Sequence, residues 1–165
     1  MFYQRMSNRA KLAVIATIAV IAIITLSGAA LANSNCMDVE GSFTLQPVTE
    51  NCTSPVELCA KGKYKGDLKA SSNFTGLAFI PTEDTPTTGV LFFTGDNIIH
   101  AEGGDILTKD FISFNTVGKG DFGEVDAIVG GTGAWDKATG YIRAIGTFPA
   151  GGNGQGKYVG EICTP

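Results

Sequence analysis

Histidine, tryptophan and arginine are scarce in this chain, and each shortage closes off a class of function. Its 165 residues hold one His and one Trp. His100 stands far from every Cys in sequence and no Cys-x-x-Cys occurs, so the usual ligand sets of zinc are missing. Beyond residue 32 the only arginine is Arg143. Setting aside Arg5, Arg9 and Lys11 leaves nine basic residues against 16 acidic ones. Without an Arg-rich stripe to neutralise phosphates, nucleic acid is not an expected partner. The same acidic balance disfavours anionic membrane surfaces. Long stretches of helical period are absent beyond the first 32 residues, and no motif calls for a nucleotide, metal or flavin, so no cofactor is expected.

What is present begins with a basic stretch (Arg5, Arg9, Lys11) followed by an uncharged apolar run from Leu12 to Leu26. Small residues follow, and Ala30-Leu31-Ala32 fits the small-x-small pattern of signal peptidase sites. Residues 1–32 therefore read as a signal peptide cleaved after Ala32 and 33–165 as one domain. The mature protein is expected to be secreted or periplasmic, without stable membrane association. The competing reading is an uncleaved helical anchor, since the apolar run reaches roughly 20 residues if its Ala-rich end is counted. Cys36, Cys52, Cys59 and Cys163 all lie past the cut, an even number that argues for two disulfides.

Short apolar runs punctuated by Gly and Asp predict an all-β domain. Ten candidate strands can be marked: 38–45, 60–68, 73–80, 89–94, 97–101, 105–108, 111–117, 120–129, 140–148 and 156–163. Merging some leaves a closed barrel or sandwich of about eight. Lys61 to Lys69 alternates strictly, with Lys61, Lys63, Lys65, Asp67 and Lys69 on one face and Gly62, Tyr64, Gly66 and Leu68 on the other. One face is therefore wet and one packed. If the first and last strands close the barrel side by side, Cys36 meets Cys163. Cys52 then pairs with Cys59 across a short Ser-Pro loop. Spacing alone leaves a bridge from Cys52 or Cys59 to Cys163 open.

The segment from Val129 to Gly140 contains Gly130, Gly131 and Gly133, then Trp135, a short helical piece and a return to strand at Gly140. It lacks the Gly-Lys-Ser/Thr of a phosphate loop and the third glycine of a dinucleotide fingerprint. Its glycines read as a sharp structural turn, and Trp135 as a plug for one end of the core. Strand, Gly-Gly-Thr-Gly, an aromatic, Ala-Thr-Gly and strand resembles the allene oxide cyclase and dirigent barrel superfamily. Cys52-Thr-Ser-Pro-Val with Cys59 and Gly62, Thr94-Gly95-Asp96, Gly120-Asp121-Phe122 with Glu124, and the terminal Gly156 to Cys163 look like its small exported bacterial members. The resemblance implies an eight-stranded antiparallel, calycin-like barrel with an internal cavity, and members that often associate through their barrel surfaces. It carries no catalytic residue onto this chain.

The candidate cavity residues are Glu124, Asp126, Tyr64 and Arg143. Glu124 and Asp126 share a face with Phe122 and Ile128; inside a barrel they would be desolvated, with raised pKa, and able to act as acid or base. The preferred reading puts that face outside, with Val125, Ala127 and Val129 packed. Arg143 reads as a surface cation, His100 as structural, and Phe92 and Phe93 as pointing to opposite faces.

Three functions fit: a barrel that binds a small apolar molecule as carrier or dirigent-like guide, an isomerase or cyclase working in the cavity, and a structural or surface-interaction protein with a filled lumen. An apolar cavity favours the first, a cavity spotted with polar groups the second.

Overall fold

The computed structural model describes residues 35–80 and 89–165. The signal-peptide reading falls on residues outside that set. Eight strands follow in order: β1 (Asn35–Pro47), β2 (Cys59–Gly66), β3 (Ala70–Ile80), β4 (Val90–Ala101), β5 (Gly104–Asn115), β6 (Asp121–Gly131), β7 (Thr139–Thr147) and β8 (Gly154–Thr164). Each pairs antiparallel with its sequence neighbour, and β1 also pairs with β8, which closes the barrel. The expected all-β closed barrel of eight strands is what forms.

Strand β2 shows why. Lys61, Lys63 and Lys65 are exposed while Gly62 and Tyr64 are buried, the period-two pattern of a sheet with one packed face. Inward glycines make room for large neighbours. At Gly41 a side chain would collide with the Lys65 carbonyl and the Tyr158 ring. Tyr158 instead lies flush there, its hydroxyl accepting from the Leu68 amide at 3.0 Å and donating to the Lys65 carbonyl at 3.3 Å.

Two expected breaks disappear, which is how ten candidate strands become eight. Gly95-Asp96 was expected to end a strand, yet Gly95 sits inside β4 where a Cβ would strike the Phe74 ring. The glycine marks close packing here. Lys109-Asp110 also lies within a strand, β5, because its charges go to opposite faces: Lys109 outward to Asp96 at 2.7 Å, Asp110 into the lumen.

Cys36 faces Cys163 across the β1–β8 seam, and the two are bonded. Cys52 is bonded to Cys59. Both proposed pairings are thus present, which removes the rival bridge to Cys163. The disulfides fit an oxidising, extracellular or periplasmic setting, and no helix among the described residues is long and apolar enough to cross a membrane.

The end of the barrel where Asn35 pairs with Thr164 is filled. Val39, Leu68, Ile99, Ile106, Ile128, Ala138, Ile142 and Ile162 form its core, with Trp135 packed against them. The Gly-rich segment turns back through a short 3-10 turn, Gly133–Trp135. Gly133 adopts φ 60°, a left-handed conformation that suits glycine. The Trp135 indole N–H donates to the Glu102 carbonyl at 3.2 Å, tying this turn to the β4–β5 hairpin.

Candidate functional site

Toward the opposite end the lumen opens into a cavity of about 70 Å³, walled by Phe43, Phe74, Phe93, Phe114, Phe122 and Phe148 among other apolar side chains. The loop closed by Cys52–Cys59 supplies part of the wall through Leu58. Its shape is held by Ser54, whose hydroxyl donates to the Gly76 carbonyl at 2.6 Å and accepts from the amides of Val56 (3.2 Å) and Leu58 (3.1 Å). Among the described residues the polar lining is Glu124, Asn97 and Tyr64.

Beneath this spot lies a cluster the alternation of β5 and β6 brings together. Asp110 on β5 is directly opposite Asp126 on β6, and Ile112 directly opposite Glu124. Carboxyl oxygens of Asp110, Glu124 and Asp126 lie within 4.8 Å of one another. Asp126 is fully enclosed at 0 % exposure and Asp110 is 3 % exposed. Glu124 keeps partial exposure on its cavity side. Thr108 donates its hydroxyl to Asp110 Oδ1 at 2.5 Å. Asp110 Oδ2 and both Asp126 oxygens receive no hydrogen bond.

Three buried carboxyls this close cannot all be ionised unaided. Burial, then the charge of Asp110, pushes Glu124 up to about 8. Burial raises Asp110 to about 7 against the opposing Thr108 hydrogen bond. Asp126 is driven well above the usual carboxylate range by burial, then by Glu124 and Asp110. Tyr64 moves the same way, through burial first and then the carboxyl charges. Desolvation dominates throughout, because the charged form loses water and gains no cationic partner in exchange. Protonation resolves the conflict: a proton on Glu124 or Asp126 turns their contact into a hydrogen bond.

The preferred outward placement of Glu124 and Asp126 is overturned. Val125 and Val129 are 48 % and 55 % exposed and Ala127 is exposed, while Asp126 and Ile128 are buried. Pairing with β5 fixes the facing: Asp126 and Ile128 lie opposite the buried Asp110 and Thr108, so they turn into the lumen with them. Tyr64 also faces the lumen. Arg143 does not: it is exposed on β7 between Val125 and Val159, its guanidinium 5.4 Å from the Tyr141 ring centroid. Phe93 points in, and Phe92 meets Phe111 at a 6.3 Å centroid distance on the outer side. His100 lies outside, its Nδ1 2.7 Å from Asp105 and its Nε2 2.8 Å from the Asn73 amide.

Sequence reasoning missed Asp110, Thr108 and Asn97. The signal was the alternation Ile106, Thr108, Asp110, Ile112, Phe114, which becomes visible once 105–117 is read as one strand.

Searches against models of known families, curated proteins and solved structures returned no match.

Proposed function

We propose that the barrel binds a small, largely apolar molecule in its aromatic half and orients it through one polar atom held at Glu124. The observation that carries this reading is a single carboxyl on the floor of a phenylalanine-walled cavity. Apolar walls supply affinity by excluding water, and one well-placed polar group supplies orientation. A neutral Glu124, the form favoured below about pH 8, donates a hydrogen bond to a carbonyl, ether or epoxide oxygen. The free space matches several waters or a compact ligand, so a larger molecule requires the phenylalanines to move apart. The likeness of the Gly-Gly-Thr-Gly segment and the terminal strand to allene oxide cyclase and dirigent barrels agrees with this reading, as does the oxidising compartment that the disulfides fit.

The test is native mass spectrometry and calorimetry on the exported domain with small apolar ketones and epoxides. We expect one molecule per barrel and its loss in Ala144→Phe or Ala60→Leu, both of which fill the cavity. Failure of every probe to bind a folded barrel refutes the reading.

A second reading is favoured by the position of Glu124. A carboxyl that holds its proton near neutrality and faces an apolar ligand is placed for general acid catalysis of an isomerisation or cyclisation. Under that reading Glu124→Gln keeps ligand affinity and abolishes conversion of a strained epoxide to its cyclic isomer. Equal product from both proteins restricts the barrel to carriage.

A further inference from the structure

The carboxyl cluster has a second way to resolve its buried charge. Its oxygens lie within 4.8 Å of one another, the span of a single coordination sphere with metal–oxygen distances of about 2.1–2.5 Å. Next to it on β4, Asn97 is 6 % exposed and its Oδ1 has no hydrogen-bond partner. Asn97 pairs in register with Thr108, which bonds Asp110, and it lines the cavity beside Glu124. Oδ1 is thus a buried neutral oxygen without a donor. Such an atom ordinarily finds a partner. Among the described residues the ion pairs are Lys109–Asp96 and His100–Asp105, both on the outer face, so no cationic side chain is ion-paired with the cluster.

We propose that Asp110, Glu124 and Asp126, with Asn97 Oδ1 as a neutral fourth oxygen, bind one hard divalent cation inside the barrel. An all-oxygen set without His or thiolate suits calcium, magnesium or manganese and is poor for zinc or copper. Three carboxylates around a doubly charged ion leave one net negative charge, far less costly to bury than three unpaired ones. Waters in the adjoining cavity complete the coordination, and the cavity side of Glu124 is the route of entry. With the ion bound Glu124 is ionised and accepts only, so the cation and the hydrogen bond from a neutral Glu124 to an apolar ligand are alternatives at that carboxyl.

The experiment uses the disulfide-intact domain, stripped with chelator and titrated near pH 8 with calcium, manganese or magnesium chloride alone, by calorimetry and native mass spectrometry. We expect one ion per chain, a higher melting temperature, and proton release that differs between buffers of different ionisation enthalpy. The preferred ion separates a calcium site from a magnesium or manganese site. Glu124→Gln and Asp126→Asn each weaken binding by more than about tenfold, and Asp121→Asn on the outer face leaves it unchanged. Should one buried variant fail to fold, the other carries the test. Three results overturn the proposal: no ion retained by a folded barrel at millimolar metal, binding unaffected by both buried substitutions, or binding equally weakened by Asp121→Asn.

Discussion

The two halves of the lumen are packed by different side chains. Where the start of β1 meets the end of β8, Ile99, Ile106, Ile142 and Ile162 interlock at 0 % exposure. At the other end six phenylalanines share the inward positions with Leu45, Ala60, Ile112 and Ala144, and a cavity remains between them. Branched aliphatic side chains adapt and interdigitate to near-crystalline density. Flat rings held in tilted contacts, as Phe43 with Phe122 at 5.9 Å and Phe74 with Phe93 at 6.3 Å, leave gaps that no neighbour fills. One half therefore acts as foundation and the other as receptacle, with the carboxyl cluster on the boundary.

The sharpest way to break this contrast is at the two crosslinks. Cys36–Cys163 joins positions 127 residues apart and Cys52–Cys59 positions 7 apart. On a chain-entropy basis the first contributes about 5 kcal/mol and the second about 2.5 kcal/mol. Replacing Cys36 and Cys163 by Ala is expected to lower the denaturant midpoint about twice as much as replacing Cys52 and Cys59. The smaller loss should come with weaker apolar binding, since Leu58 is displaced from the wall. Next in size, Ile142→Ala in the foundation costs about 2–5 kcal/mol. Phe114→Leu in the receptacle costs less than about 1.5 kcal/mol. Equal losses would show the aromatic half to be as tightly packed as the other.

The boundary layer gives a pH signature. Asp110 and Glu124 hold protons in the fold up to about 7 and about 8, whereas the unfolded chain releases them near 4. Between those limits the native state binds more protons than the unfolded one, so stability falls as pH rises. The slope is about 1.4 kcal/mol per pH unit for each extra proton held. Below the unfolded values the effect vanishes, and above the folded values it is complete. Metal-free melting temperatures should thus decline from about pH 4 to about pH 8. The groups acting on the cluster are Tyr64, Asp96 and Lys109. Asp126→Asn should flatten the profile, and an unchanged slope would place the titrating groups elsewhere. The smallest effect is expected outside the lumen: Arg143→Ala should shift stability by no more than about 0.5 kcal/mol and leave ligand binding intact.

Much of the barrel was legible in residue order. Alternation at Lys61–Lys69 named the wet face of β2, and barrel closure suggested Cys36 with Cys163, which left Cys52 for Cys59 although spacing alone kept a rival bridge open. The site was legible only in part. Glu124, Asp126 and Tyr64 could be singled out as candidates, but the first two were assigned outward because a carboxylate usually prefers water. Asp110 was hidden by a false break at Lys109-Asp110, since adjacent charges resemble a turn when they lie on opposite faces of a strand.

Composition thus determined the number of cysteines and the acidic balance, and local pattern the period of the strands, which depends on near neighbours in the chain. Which face of β6 turns inward, and that Asp110 lands opposite Asp126, depended on closure of the barrel. That choice is a competition between apolar areas on eight strands at once, summed over residues far apart in sequence, and no single strand contains its outcome.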